Sequence, residues 1–275
     1  MGKIVFYKMS GSGNDFIIID NRNLLVDDEN LVEFIRKICS RKMSVGADGF
    51  ILIEDSDTAD FRWRFYNADG SVPEMCGNGA RCAARFACLN GIAGPRMTFE
   101  TLAGTISARV TGERVRIRMT EPADLKTGQH LAVAGEDLTF GSVDTGVPHA
   151  VLRVADADAA DVKRLGRAIR FHERFAPAGT NVNFISVQEE NVLKIRTYER
   201  GVEDETMACG TGAVAGAIVA ARTAAVSPPV RVMTRGGLLT IDFREKAGRF
   251  CDVDLEGDAR VVYNGELWGE AWKWE

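Results

Sequence analysis

CGNGARCAARFACL at residues 76–89 and CGTGAVAGAIVAARTAA at residues 209–225 are two copies of one pattern. Each copy opens with Cys-Gly-x-Gly-Ala and continues into a run that is rich in alanine and apolar on almost every side. A helix without a polar face is buried all round. The pattern therefore predicts two central helices, at 79–89 and 212–225, which end at Asn90-Gly91 and before Ser227-Pro228-Pro229.

The two cysteines are separated by 133 residues (209 − 76), and the same shift aligns other positions. It places Gly77 on Gly210, Gly79 on Gly212, Ala80 on Ala213, Asn67 on Arg200, Thr101 on Thr234 and Gly104 on Gly237. A repeat of this length in only two copies indicates paired domains and not a solenoid.

Strand patterns follow the same order in both halves. A β-rich run precedes each cysteine, and three runs of alternating apolar and polar residues follow each helix, which is typical of half-buried antiparallel strands. These runs are 61–66, 96–101, 104–110 and 114–120 in the first half, and 192–198, 230–234, 238–243 and 251–257 in the second. A third, more solvated helix is predicted at 28–40.

The sequence thus predicts an α+β fold of two pseudo-symmetric domains, each a curved, mostly antiparallel β-sheet wrapped around a central buried α-helix. We expect the N-terminal repeat with Cys76 to span residues 1–119 and the C-terminal repeat with Cys209 to span 120–262. The tail, 263–275, is expected to pack on the N-terminal repeat.

Charge and composition point to a small-molecule partner. The chain has 275 residues, a net charge of −5 and no run of Lys or Arg, so we expect neither nucleic acid nor an anionic membrane as partner. The first 16 residues lack the features of a secretory signal, and no apolar stretch approaches the ~20 residues that span a bilayer. A cytoplasmic location is expected.

Six cysteines occur in the chain, and a cytosolic location predicts that they are mostly thiols. No two of them have C-x-x-C spacing, and the three histidines are scattered singly, so we predict no metal site. The remaining question is which cysteines are chemically active, because a free cysteine is most often a small buried apolar residue.

Cys76 and Cys209 each stand directly before a glycine-opened helix. Unpaired backbone N–H groups and the positive end of the helix dipole favour a thiolate there. The neighbouring N–H groups of Gly77, Asn78, Gly210 and Thr211 are candidates for binding a carboxylate. A nucleotide-binding glycine loop is disfavoured, because we expect neither half to have a parallel βαβ context with an acidic residue about 20 positions on, at the end of a second strand.

One cysteine at each of two helix starts suits the inversion of an α-carbon. A thiolate removes a proton from one face, and a thiol returns a proton to the other. The sequence shows no recognisable context for a pyridoxal-phosphate lysine, so preorganised N–H donors in a dry cavity have to stabilise the carbanion.

The chain resembles the diaminopimelate epimerase family from about residue 4 to its end. The motifs that carry the resemblance are GSGNDF at 11–16, YNADGS at 66–71, CGNGARC at 76–82, GVPHA at 146–150, GTNVNF at 179–184 and ERGVEDETMACGTGA at 199–213. The resemblance implies two similar domains, each a curved sheet around a central helix, with the site between them. It also implies interconversion of LL- and meso-diaminopimelate for lysine and peptidoglycan synthesis, without metal or other cofactor, in a homodimer.

The resemblance further implies the roles of individual residues. Cys76 is then the proton donor and Cys209 the proton acceptor in the LL to meso direction. Arg200 holds the distal carboxylate, and three asparagines bind the distal groups: Asn14, Asn67 and Asn181. Glu199 accepts the reacting ammonium, and His149 tunes the thiols. Asp48 and Asp69 are interpreted as turn residues only.

Two positions depart from the pattern of the family: some members carry Gln where this chain has Gly49, and Asn where it has Val147. Contacts with the distal end of the substrate at these positions are therefore open. The alternative functions are a proline-type racemase or epimerase of the same fold, and a non-catalytic thiol redox or ligand-binding module. Phenazine-biosynthesis-type isomerases lack the cysteine pair, which counts against them.

Overall fold

The computed structural model describes residues 3–73 and 75–274. Within them the helices are α1 (Leu31–Cys39), α2 (Gly77–Leu89), α3 (Val162–Arg170) and α4 (Gly210–Arg222). The strands are β1 (Ile4–Gly11), β2 (Asn14–Asp20), β3 (Gly49–Glu54), β4 (Phe61–Asn67), β5 (Arg96–Thr101), β6 (Gly104–Thr111), β7 (Arg114–Arg118), β8 (Ala123–Val133), β9 (Glu136–Asp144), β10 (Pro148–Arg153), β11 (Asn181–Glu189), β12 (Val192–Glu199), β13 (Asp204–Thr206), β14 (Val230–Thr234), β15 (Gly237–Lys246), β16 (Arg249–Asp258) and β17 (Arg260–Leu267).

The chain divides into two compact units. The first comprises the described residues up to Ile117 and from Gly257 onward, and the second is Arg118–Glu256. The sequence predicts these boundaries at 119/120 and 262/263. The return to the first unit comes earlier than residue 263 because the whole of β17 pairs with β1, from Arg260 opposite Ser10 to Leu267 opposite Ile4.

In the first unit the strands form a sheet in the order β17-β1-β2-β3-β4-β5-β6-β7. Two neighbouring pairs are parallel, β2 with β3 and β4 with β5, and the others are antiparallel. Parallel neighbours need a crossover connection. Helix α1 lies in the first crossover and α2 in the second, so α2, contrary to the expectation from the sequence, does lie in a parallel βαβ unit.

The second unit repeats this arrangement in the order β8-β9-β10-β11-β12-β14-β15-β16. Its parallel pairs are β10 with β11 and β12 with β14, and their crossovers contain α3 and α4. The short strand β13 also pairs with β12. The two units differ at one edge of the sheet. Strand β9 pairs there with β8, which directly precedes it in the chain, whereas the equivalent strand β1 pairs with β17, near the C-terminus.

The predicted fold class is confirmed in each unit. Helix α2 packs against β1, β2, β3 and β6, and α4 packs against β9, β10, β11, β12 and β15. Nine consecutive residues of α4, from Gly212 to Ala220, are buried. Buried apolar surface contributes roughly 25 cal/mol per Å², so these helices hold their sheets together mainly by apolar contact.

Both central helices end in the same hydrogen-bonded turn, which sequence analysis located for only one of them. After α2, Gly91 adopts a φ of 65°, and the N–H of Ile92 donates to the Ala87 carbonyl at 2.9 Å. After α4, Ala224 takes the left-handed position with a φ of 55°, and the N–H of Ala225 donates to the Ala220 carbonyl at 2.9 Å. This is the Schellman arrangement. The predicted end of α4 at residue 225 was wrong because no glycine marks the turn.

Helix α3 was not predicted. Asp161 caps its start by accepting a hydrogen bond from the Arg164 N–H at 3.4 Å. Its apolar face is short, and Gly166 lies at its centre against Tyr198, where an added Cβ would come within 2.5 Å of the Tyr198 Cβ. Glycine is a poor helix former. Helix propensity therefore does not predict a helix here, although the close contact with Tyr198 requires glycine at this position. The helix predicted at 28–40 is α1.

No helix among residues 3–73 and 75–274 is long and apolar enough to cross a bilayer.

The two helix ends predict opposite effects of reciprocal substitutions. A left-handed residue other than glycine costs about 1–2 kcal/mol, partly offset by its lower entropy in the unfolded chain. We expect Ala224→Gly to stabilise the second unit by up to about 1 kcal/mol and Gly91→Ala to destabilise the first by about 1 kcal/mol. A Cβ at Gly91 meets no atom within 4 Å, so backbone strain alone is tested. The urea denaturation midpoints of the two variants measure both changes in stability. Midpoints that shift equally in the same direction would contradict the prediction.

Candidate active site

Cys76 and Cys209 are the N-cap residues of α2 and α4, each with extended backbone dihedral angles. The Cys76 Sγ accepts a hydrogen bond from the Gly79 N–H at 3.5 Å, and the Cys209 Sγ accepts one from the Gly212 N–H at 3.3 Å. A side-chain acceptor at the N-cap normally comes from Ser, Thr, Asp or Asn. In both units a sulfur takes this place, directed at the positive end of a buried helix.

Each sulfur has a further polar neighbour in its own unit. The Cys76 thiol donates to Asn14 Oδ1 at 3.7 Å, and the Cys209 Sγ lies 3.4 Å from the Thr211 hydroxyl. Thr145 donates its hydroxyl hydrogen to the Thr211 carbonyl at 3.1 Å, which fixes the first turn of α4 against the end of β9. Both sulfurs therefore lie in defined hydrogen-bonding positions.

The first helical turns also carry backbone donors. The N–H groups of Gly77 and Gly210 lie in a turn where no carbonyl of the same helix can accept them. An added Cβ at Gly77 would come no closer than 3.8 Å to another residue, at Ile117 Cδ1, so a ligand has space to approach this backbone. Such a turn binds carboxylates and other anions readily.

A buried arginine secures the start of α2, and sequence analysis missed it. Arg81 is 0% exposed, and its guanidinium donates to the Gly77 carbonyl, to Asn78 Oδ1 and to Ser12 Oγ. The pKa of Arg81 is lowered, mainly by burial. Its signal in the sequence is a charged residue, one of two arginines in a helix that is otherwise mostly apolar. Asn78, predicted for its N–H, thus also contributes its side chain to this network.

Asn14 and Asn67 lie on the same sheet but have separate partners. Asn14 Nδ2 donates to Asp48 Oδ2 at 2.8 Å, and Arg41 donates to the other Asp48 oxygen at 2.9 Å. Asn67 Nδ2 donates to Ser71 Oγ at 2.9 Å. Asp48 is therefore more than a turn residue, because it orients the amide that contacts Cys76.

In the second unit, Asn181 and Arg200 are brought together. Asn181 Oδ1 accepts a hydrogen bond from the Arg200 backbone N–H at 2.9 Å, and its Nδ2 donates to the Pro148 carbonyl at 3.3 Å. The Arg200 guanidinium donates to the Ala178 carbonyl at 3.3 Å. Asn181 thus connects the start of β11 to the loop that carries the arginine.

Glu199 ends β12, directly before Arg200, and accepts a hydrogen bond from the Thr206 hydroxyl at 2.8 Å. Burial raises the pKa of Glu199 above its ordinary value, and the Thr206 hydrogen bond opposes this shift. A carboxylate in this position favours a bound cation, because an adjacent positive charge offsets its desolvation.

His149 is buried in β10, with 1% of its surface exposed. Asn183 Nδ2 lies 3.0 Å from its Nδ1. Burial, and to a smaller extent the charge of Arg200, lowers the pKa of His149 to about 3. The imidazole is therefore neutral around pH 7. Asn183 was not singled out in the sequence, although its signal is a second asparagine two residues after Asn181 on the same strand face.

The departures at Gly49 and Val147 have different structural settings. Gly49 pairs with Asn67 between β3 and β4, and an added Cβ would lie 2.8 Å from Phe65 Cε2. A side chain at position 49 thus requires Phe65 to move. The Val147 carbonyl accepts a hydrogen bond from the Thr145 N–H at 3.1 Å, so its backbone closes the turn before β10.

The other cysteines are set apart by their surroundings. Cys39 and Cys82 are buried free thiols, and burial raises the pKa of each to about 12. Cys88 and Cys251 are free and half-buried. Within the described part of the chain, no group of three or more His, Cys, Asp or Glu side chains is placed to hold a metal ion.

Comparison with solved structures shows the same fold in several proteins of low sequence identity. A phenazine biosynthesis protein of the PhzF family from Bacillus anthracis gives a TM-score of 0.73 at 18% identity, covering 98% of this chain and all of that one. A probable proline racemase from Agrobacterium radiobacter gives a TM-score of 0.71 at 15% identity, covering 97% of this chain and 93% of that one. At these identities the likeness concerns the fold alone.

Comparison with known sequences is more specific. The family model of diaminopimelate epimerase matches residues 6–125 and 141–262. The diaminopimelate epimerase of Aquifex aeolicus is 48% identical over 274 residues, covering 95% of this chain and 97% of that protein. The diaminopimelate epimerase of Archaeoglobus fulgidus is 40% identical over 278 residues, covering 96% of each. By its fold, its paired cysteine motifs and these matches, the chain belongs to the diaminopimelate epimerase family.

Proposed function

We propose that this protein interconverts LL-2,6-diaminopimelate and meso-2,6-diaminopimelate, without cofactor, by a two-base mechanism. The observation that supports it most is the placement of Cys76 and Cys209 at equivalent N-caps of the central helices of a duplicated fold. An inversion at carbon by two bases needs a proton acceptor on one face of the carbon and a proton donor on the other. A fold with one sulfur in each copy of its repeat supplies both.

In the LL to meso direction, the Cys209 thiolate removes the α-proton and Cys76 returns a proton to the opposite face. The C–H bond breaks, its electron pair passes into the carboxylate as an enediolate, and a new C–H bond forms from the Cys76 thiol. The two cysteines then have exchanged protonation states, and the reverse reaction exchanges their roles. The hydrogen bonds from Gly79 and Gly212 hold each sulfur in place in either state.

The enediolate is stabilised by helix N-termini. The first-turn N–H groups of Gly77, Asn78, Gly210 and Thr211 are the proposed donors to the reacting carboxylate. Donors fixed by a buried helix cost no reorganisation when charge develops, and losing one donor of this type costs about 2.7–4 kcal/mol in known enzymes. The small side chains of the glycines let the carboxylate approach.

Glu199 is the proposed partner of the reacting ammonium group. Its side chain is half-buried, and burial raises the pKa of its carboxyl. Binding a cation reverses this effect, so the substrate ammonium restores the charged carboxylate. His149, which is neutral, is proposed to donate a hydrogen bond near the thiols and not to exchange charge with them.

The distal amino-acid centre is assigned to Arg200 and the asparagines Asn14, Asn67 and Asn181. A guanidinium binds a carboxylate through two parallel hydrogen bonds. This set distinguishes the proposed substrate from proline-type ligands, which have no second amino-acid centre. Epimerisation of a small molecule in lysine and peptidoglycan precursor synthesis suits a cytoplasmic enzyme. We extend the proposal to a homodimer on the family resemblance.

The reaction is tested by incubating the reduced protein with LL-diaminopimelate in D₂O, with neither metal nor pyridoxal phosphate added. We expect meso product that carries deuterium at the inverted α-carbon, because the returned proton comes from an exchanged thiol. Mass spectrometry measures the incorporated deuterium, and chiral chromatography measures the meso product. Folded, reduced protein that exchanges no α-proton would reject this substrate, and proline would be tested next.

Replacing either cysteine should remove the activity. We expect Cys76→Ala and Cys209→Ala each to lower kcat by at least about 100-fold, the lower range for general acid–base catalysis. Cys88→Ala, on the same helix as Cys76 and half-buried, is the matched control and should keep wild-type turnover. Substantial epimerisation by Cys209→Ala would show that the two-base assignment is wrong.

Arg200→Lys tests the distal site. A lysine keeps the charge but loses the bidentate geometry, so we expect KM for diaminopimelate to rise about 10- to 100-fold with a smaller change in kcat. Arg153→Lys, at the exposed end of β10, serves as the control. An unchanged KM in steady-state assays would place the distal carboxylate elsewhere.

A further inference from the structure

The two repeats differ in one buried layer behind the central helix. In the first unit, β2, β3 and β4 place Ile51 opposite Ile18 and Phe65, and Phe16 two residues before Ile18. Phe16, Ile51 and Phe65 are apolar and buried. They pack where Gly79 begins to cover the sheet, since an added Cβ at Gly79 would lie 3.4 Å from both Phe16 and Ile51.

The strand register of the second unit puts polar residues in the same three places. Asn183 pairs with Val151 and Thr197, and His149 lies two residues before Val151. His149, Asn183 and Thr197 are 1%, 0% and 3% exposed. The first unit has three apolar side chains in these places. Buried polar side chains are costly unless they are fully hydrogen-bonded, so the hydrogen bonds of these three residues need an explanation.

The partners of Asn183 fix which atom donates each hydrogen bond in this layer. Asn183 Nδ2 donates to the Ala150 carbonyl oxygen at 3.1 Å, because a carbonyl oxygen can only accept. The Thr197 hydroxyl donates to Asn183 Oδ1 at 2.9 Å, which also can only accept. The orientation of the amide is therefore set by two partners, and its remaining Nδ2–H is directed at His149 Nδ1, 3.0 Å away.

His149 Nδ1 is consequently an acceptor, and the proton of the neutral ring lies on Nε2. With its pKa lowered to about 3 by burial, the ring stays neutral. Its Nε2 is buried and has no hydrogen-bond partner among residues 3–73 and 75–274. A buried N–H without an acceptor is unfavourable, and a ligand atom that accepts this hydrogen bond would remove the penalty.

Asn183 also touches the helix that carries Cys209. An added Cβ at Gly212 would lie 2.4 Å from Asn183 Oδ1, so only glycine fits there. The N–H of Gly212 is the group that donates to the Cys209 sulfur. One amide side chain thus packs against the imidazole on one side and the N-terminal turn of α4 on the other.

We propose that Asn183 is a positioning residue that holds His149 as the Nε2–H tautomer, so that His149 acts in the site as a neutral hydrogen-bond donor and not as a base. This inference rests on the proposed function and specifies how its second repeat works. A neutral donor stabilises a thiolate or a carboxylate oxygen without competing for the α-proton. The opposite tautomer would present a lone pair on Nε2 and stabilise a thiol at the expense of its thiolate.

The tautomer is read directly by long-range ¹H–¹⁵N spectra of protein labelled at its histidine rings, without substrate. His130 and His172 are the only other histidines in the sequence, so the spectrum contains at most three ring systems. We expect one ring, absent from the His149→Gln spectrum, with a pyridine-type Nδ1 and a pyrrole-type Nε2 around pH 7. A protonated Nδ1 on that ring in the wild type would overturn the proposal.

The hydrogen bond from Asn183 that selects the Nε2–H tautomer is called the tautomer lock. Asn183→Asp reverses the lock, because a carboxylate can accept a hydrogen bond from His149 Nδ1 but cannot donate one to it. We expect a proton on Nδ1 and a fall in kcat of about 10- to 100-fold with KM nearly unchanged, as for a lost transition-state interaction. Asn183→Ala covers the case in which a buried carboxylate prevents folding, and it should leave both tautomers populated. Ser186→Ala, buried on the same strand, is the control and should change neither spectrum nor kcat.

The two proposals fail separately. If the wild-type spectrum shows the expected tautomer but diaminopimelate exchanges no deuterium, the proposed substrate is rejected and the tautomer lock still stands. An altered tautomer in Asn183→Asp with wild-type kcat would reject the role of the lock in the reaction. An unaltered tautomer in both Asn183 variants would reject the lock itself.

Discussion

The structure depends on one constraint, which is that a buried helix must satisfy the N–H groups of its first turn. In α2 and α4 the acceptor is a cysteine sulfur at the N-cap, where other proteins use an oxygen. The requirement for a cap and the requirement for a polarised thiol are met by the same atom. Because each helix is enclosed by its own sheet, the sulfur is held by the core of its unit and not by a mobile loop.

Duplication provides two such positions, and the remaining layers adapt them to different tasks. The first unit surrounds its helix start with Arg81, Asn78 and Ser12, and backs it with aromatic and aliphatic side chains. The second unit replaces that apolar backing with the chain Thr197–Asn183–His149. A symmetric fold can therefore carry out a nearly symmetric reaction while giving each thiol its own electrostatic surroundings.

The polar groups of the candidate site are held by other side chains and by backbone carbonyls. Asp48 orients Asn14, and Asn181 holds the backbone of Arg200. Each of these supports belongs to a different strand or loop from the residue that it positions. A substitution of Asp48 would thus act on Cys76 through Asn14.

The sequence by itself determined the duplication, the two buried helices, the family and the two cysteines, since all of these follow from local periodicity and from motifs whose residues are adjacent in the chain. It did not reveal the end of α4, because Ala224 adopts a conformation that usually signals itself by glycine, nor α3, whose Gly166 is required by Tyr198. The supports Asp48, Arg81 and Asn183 were decided only by the tertiary structure. Asp48 and Asn183 bond to residues that are distant in sequence, and Arg81 bonds to the distant Ser12 as well as within its own helix. A hydrogen bond between strands depends on register, which no local pattern specifies.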